Sequence, residues 1–223
     1  NPLDVNGQPI NPNIDYPYTA MTTPAPTTQQ CQSAWQWNCR IRVNYESVIH
    51  PLWSQPRVVM VDDDNDPLTP DIPLVDANGE IVNDNCLNCH TPVDVANANA
   101  PRVPAGQLEL QDGQSLDEAD HYHAYRELLV TDNLQELDAG GALIDAVQII
   151  QDADGNDIPV PIPTPPPASV IGARASGDFF DRFNDPNDLD HFNILSQAER
   201  RLIAEWLDVG AQYYNNPFDA PAN

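Results

Sequence analysis

The residues that announce chemistry are Cys86-Leu87-Asn88-Cys89-His90. Two thiols three positions apart on one incipient helical turn match the spacing of the two vinyl groups of a haem. Thioether bonds there would place the next residue, His90, under the iron as proximal ligand, so the motif predicts one covalent haem c. A redox-active CxxC pair would call for a surrounding βαβ pattern, which the sequence lacks. Half of a zinc site would call for a second ligand pair, and Cys31 and Cys39 are poorly spaced for that role.

The sixth iron ligand separates an electron carrier from a catalyst, because a face left open admits substrate to the metal. Met21, Met60, His50, His121, His123 and His191 are the available side chains. Both methionines lie in proline-rich or acidic stretches with little to position them. His191 stands five residues before Ser196, which caps the last predicted helix, and cytochromes c place their distal ligand in a loop ahead of such a helix. His191 is therefore the expected distal ligand, and His50 is the alternative, at the end of an earlier helix. His50 could equally pack beside the haem or bond a propionate, and His121 and His123 flank Tyr122 at a helix start. Arg57, Arg102 and Arg126 could receive the propionates, or pair with neighbouring acids. Trp53, Trp206 and Tyr125 could line the haem or simply pack the core. Cys31 and Cys39 frame CQSAWQWNC with no histidine after the second cysteine. A disulfide is expected there, because haem attachment implies an oxidising compartment, with two free thiols as the alternative.

The 223 residues carry 34 acids against nine basic residues, all arginine, for a formal charge of −25. Such a surface repels nucleic acid and anionic lipid and suits a basic redox partner or plain solubility. No apolar run approaches the ~20 residues of a membrane span. No signal peptide opens the chain, so Asn1 reads as the start of a mature or excised segment of an exported, periplasmic or extracellular protein. A longer parent remains open.

The elements that must position the motif read as mainly α: a cytochrome c-like haem domain over 31–217 with long loops and short β-hairpin insertions. An extended arm rich in Asn, Pro and Thr precedes it over 1–30, and 218–223 form a tail. Apolar spacings of three and four predict a short or kinked helix over 43–53, where Pro51 intrudes, and further helices over 116–130 and 168–183. The last helix is the clearest: Ser196 and Glu199 form a capping box and Gly210 ends it. Asn78-Gly79 and Asp154-Gly155 mark two hairpins, and the PIPTPPP stretch must be extended. The acidic runs VDDDNDP at 61–67 and DADGND at 152–157 lack EF-hand order and read as solvated turns. No internal repeat is apparent.

NYESVIHPLW before the motif, PAGQLELQDG and AYRELL after it, and LSQAERRLIAEWLDVGAQYYNNP at the end together resemble the C-terminal haem region of hydrazine synthase alpha-subunit-like proteins, over about Cys31 to Pro217. CxxCH by itself is not specific to that family; its combination with EWLDVGAQYYN is more so. The resemblance implies a bis-histidine haem and electron relay within a larger assembly, and not the hydrazine-forming chemistry, whose sites lie outside this region. The expected function is thus extracytoplasmic electron transfer. The alternatives are a haem subunit of a larger redox enzyme, or a filament-forming cytochrome that self-associates through its N-terminal arm.

Overall fold

The computed structural model describes residues 18, 21–61, 72–188, 190–192 and 194–216. Most of the expected arm, the whole tail and most of the 61–67 acidic run lie outside them. Five short α-helices occur among the described residues: α1 (Gln29–Ser33), α2 (Pro51–Ser54), α3 (His123–Leu129), α4 (Gly177–Arg182) and α5 (Gln197–Asp208). Helix makes up 29% and strand 19%, which overturns the expectation of a mainly α, cytochrome c-like fold. The physical reason lies in how the expected helices are cut short. Over 113–123 the backbone pairs across a loop instead of along a helix: Ser115 N–H donates to His121 O at 2.8 Å and His123 N–H to Gly113 O at 2.8 Å. Only the seven residues of α3 remain helical. Over 168–183, Gly172 at φ +132° breaks the run and leaves a 3₁₀ turn, Ala173–Ser176, before α4.

Proline reshapes the 43–53 segment as well. Pro51 has no amide hydrogen to continue the ladder. The chain forms a π turn, Tyr45–Ile49, closed by His50 N–H on Tyr45 O at 2.7 Å, and restarts as α2 with Pro51 at its first position. Asn44 caps the turn, accepting from Ser47 N–H at 3.0 Å. α5 is the longest helix. Ser196 and Glu199 close its capping box, and Gly210 at φ +91° ends it. The N–H of Gly210 bonds Leu207 O, and that of Ala211 bonds Trp206 O, a Schellman closure.

The core gathers on the apolar face of α5. Leu202, Ile203, Trp206 and Leu207 are sealed against Tyr45, Ile49, Leu52 and Leu128. The Tyr45 ring meets those of Tyr125, Trp206 and Tyr213, and its hydroxyl accepts from Trp53 Nε1 at 3.2 Å.

Strands occur in antiparallel pairs. Arg57–Val58 pairs with Asn83–Asp84, so the 57–84 excursion returns its end to the foot of α2, just ahead of Cys86. A second excursion leaves α3 and comes back to it. Within it, Gln135–Leu137 pairs with Leu143–Asp145, and Val147–Gln151 with Asp157–Pro161. Asp132–Asn133 pairs with Pro163–Thr164 at the base, inside the proline stretch. Three of the turns share one construction that the sequence reading did not single out. Asp76, Asp138 and Asp152 each accept, through Oδ1, the amides two and four residues on. Gly79, Gly141 and Gly155 follow at φ +84°, +80° and +84°, a left-handed conformation that glycine adopts without steric cost.

Candidate functional site

The motif begins on a 3₁₀ turn, Cys86–Asn88, because Asn85 caps it by accepting from Asn88 N–H at 3.1 Å. His90 N–H donates to Cys86 O at 2.9 Å and keeps the histidine folded back over the cysteines. Residues 104–110 then form a strap around it. Ala105 N–H donates to Cys89 O, Leu110 N–H donates to His90 O, and the His90 ring donates from Nδ1 to Leu108 O at 3.0 Å. A carbonyl can only accept, so Nδ1 carries the proton and the Nε2 lone pair is left for a metal. Burial holds the His90 imidazole below its usual range, in the neutral form that ligates. The strap is itself anchored, since Gln107 and Gln135 exchange two hydrogen bonds, Gln135 N–H to Oε1 at 2.7 Å and Nε2 to Gln135 O at 3.2 Å.

His191 lies beside His90, with ring centres 6.0 Å apart and planes at 50°. It sits in the turn-rich stretch between α4 and the Ser196 cap. Its Nδ1 donates to Asp188 Oδ1 at 2.8 Å, again leaving Nε2 free, and Phe183 covers one edge of the ring at 5.9 Å. A metal held between two imidazoles at ~2.0–2.1 Å per bond separates the ring centres by on the order of 6 Å. Among the described residues no three His, Cys, Asp or Glu side chains converge as a metal cage. The described side chains thus offer a metal here two imidazoles, and a haem would supply the other four ligands.

Cys86 and Cys89 are free thiols, Cys86 half-buried against the core and Cys89 exposed. Burial pushes the Cys86 thiol up to about 11 and raises that of Cys89 too. Reactive CxxC pairs lower their thiols instead, which speaks against a dithiol redox centre. Cys31 and Cys39 form the disulfide, with Cα atoms 5.7 Å apart.

Arg57 receives Glu199 on Nη1, both carboxylate oxygens at 3.0 Å, and donates from Nη2 to Leu52 O at 2.9 Å. Its Nε is buried with no partner, and its charge reaches the Cys86 thiol. That donor lies beside the motif, where the guanidinium also lowers the Cys86 thiol against the effect of burial. Arg102 instead locks the loop after the motif, donating to Thr91 O, Thr91 Oγ1 and Asn88 O. Arg126 pairs with Asp117 at 3.7 Å.

His50 occupies a different neighbourhood, against the Tyr45 and Tyr122 rings, with Nε2 on Asp112 Oδ1 at 2.6 Å. His121 stacks on Tyr213 at 4.4 Å, and His123 meets Glu127 at 3.1 Å. Met21 packs against the core, and the Met60 side chain lies outside the described residues. Trp53 and Trp206 are core residues; Trp206 donates to Gln212 O, and Tyr125 donates its hydroxyl to Ala211 O. Sequence reasoning missed Asp188, visible only as an Asp three residues before a His. It also missed the use of the 104–110 strap and the Arg57–Glu199 pair, which join segments too distant for any spacing rule. No helix among the described residues is long and apolar enough to cross a membrane. Comparison with protein-family models, with curated proteins and with solved structures finds no match.

Proposed function

We propose that this chain is an exported electron-transfer protein carrying one haem c, attached through Cys86 and Cys89 and ligated by His90 and His191. The observation that carries the reading is the paired imidazoles. Two histidines about a hundred residues apart meet at metal-bridging separation, and each commits Nδ1 to an acceptor while presenting Nε2. Such outer hydrogen bonds commonly fix the orientation of metal-bound histidines. The haem would supply one-electron redox chemistry. The chain's own part would be to hold the haem through Cys86, Cys89, His90 and His191, and to receive a propionate near Arg57 Nε. The Cys31–Cys39 disulfide accords with an oxidising compartment. The resemblance read in the sequence to the terminal haem region of hydrazine synthase alpha-subunit-like proteins would imply a relay role, as one station in a longer electron path.

The test is the visible spectrum of the chain matured with a c-type haem assembly system, in both redox states. One covalent haem per chain, low-spin and unresponsive to carbon monoxide, is expected. His191→Ala should convert it to a form that binds carbon monoxide. A wild-type haem that is high-spin and ligand-binding would instead mark a catalytic site, and a low-spin His191→Ala variant would move the distal role to His50.

A further inference from the structure

Resting on the bis-histidine reading, we infer that the cluster of Glu127, His123, Glu109 and Asp132 is a proton-binding site linked to the haem through the strap that holds His90. Its position makes the case. Leu108 O and Leu110 N–H are the two strap groups that hold His90, and Glu109 lies between them. The amide of Glu109 donates to Glu127 Oε2 at 3.4 Å. Glu127 Oε1 faces His123 Nε2 at 3.1 Å, and Glu109 Oε2 faces the same nitrogen at 3.7 Å. Asp132, three residues beyond the end of α3, lies close enough to Glu127 to raise its carboxyl further. Glu127 is buried, with only 5% of its side chain exposed.

Two carboxyl groups therefore face one imidazole, and Asp132 adds a third negative charge nearby. Arg126, the neighbour of Glu127 in the chain, pairs with Asp117 at 3.7 Å. Negative charges gathered around a buried carboxyl favour its protonated form. Burial raises Glu127 and Glu109 above the ordinary carboxyl range, and the Glu127 hydrogen bond raises His123. All three groups therefore hold a proton to higher pH than they would in water.

Reduction places one more negative charge on the haem side of the strap. The electron comes from a one-electron donor protein, and the balancing proton comes from water and ends on the cluster. The oxidised protein plus one electron and one proton thus gives the reduced protein with the cluster protonated. Propionates also titrate in haem proteins, so the cluster must be separated from them by substitution.

The experiment is a redox titration of the haem-loaded full chain between about pH 5 and 8, run on wild type, Glu127→Gln and His123→Gln. The wild-type midpoint potential should fall as pH rises, by up to ~59 mV for each tenfold fall in proton activity. Both variants should flatten that slope while keeping a low-spin spectrum. Infrared carboxyl bands should also show a protonation change between oxidised and reduced wild type that Glu127→Gln lacks. If Glu127→Gln does not fold, Glu109→Gln, which is more exposed, takes its place. A low-spin protein whose slope is the same in all variants overturns the proton site and leaves the haem reading intact. A chain that acquires no haem overturns both.

Discussion

The Nδ1–H of His191 has one acceptor, the Asp188 carboxylate at 2.8 Å, and that bond sets which nitrogen of the distal imidazole faces His90. His90 has the equivalent bond to a backbone carbonyl, which no side-chain substitution removes. The two ligands therefore differ in how they can be weakened. His191 also lies in a turn-rich stretch outside any helix, so its side-chain partner carries more of the positioning. Loss of such an outer-shell partner typically costs 10–100-fold in metal affinity. Asp188→Ala should lower the competition of His191 against carbon monoxide at the ferrous iron by roughly that factor. It would give a partial phenotype between wild type and His191→Ala, measured by carbon monoxide titration. Binding indistinguishable from wild type would show that packing against Phe183 suffices.

At the scale of elements, the hairpin turns give the clearest pH behaviour. The Asp152 carboxylate accepts from Asn156 and from the amides of Asp154 and Asn156, and these bonds hold it below its ordinary value. Asp76 is held down in the same way by Glu80 and Asn78. A carboxylate lowered in the folded state contributes its stabilisation fully above its unfolded value of ~3.9, and loses it as pH falls through the folded value. Amide exchange at Asn156 and Glu80 should therefore be protected near neutrality and speed up only below about pH 4, as the acceptor protonates. Acceleration beginning near pH 6 would mean that other groups hold these turns. Asn78-Gly79 and Asp154-Gly155 were legible as turns because glycine after a short polar residue has few other uses. The Asp138 turn went unread although Gly140-Gly141 is itself a turn dipeptide. The capping box of α5 was legible for the same local reason. The helices expected over 116–130 and 168–183 failed because their apolar spacing is real but loop pairings at 113–123 and the Gly172 break compete with the helix. The site followed the same rule: Cys86, Cys89 and His90 are a local pattern, whereas Asp188, the strap and Arg57–Glu199 exist only through tertiary contact.

For the whole molecule the governing quantity is the charge of −25. Four of the nine arginines sit in ion pairs, Arg57 with Glu199, Arg126 with Asp117, Arg182 with Asp188 and Arg201 with Glu205. Each pair also neutralises one acid, so the far field follows the net charge and is strongly negative. Oriented encounter with a basic redox partner gains from such a field by ~10–10³-fold in association rate. That gain is screened once the Debye length shrinks from ~30 Å at 0.01 M to ~8 Å at 0.15 M salt. The second-order rate of electron exchange with a basic one-electron donor should therefore fall at least ~10-fold over that range. Exchange with an acidic donor of similar potential should rise as the mutual repulsion is screened. Stopped-flow mixing of the reduced donor with the oxidised haem protein reads both. Because salt acts on the encounter and not on the axial ligands, the low-spin spectrum must stay constant through the series. A rate that is flat in salt for both donors would mean that the haem exchanges electrons through a patch shielded from the acidic surface, as a docked station in a larger assembly would.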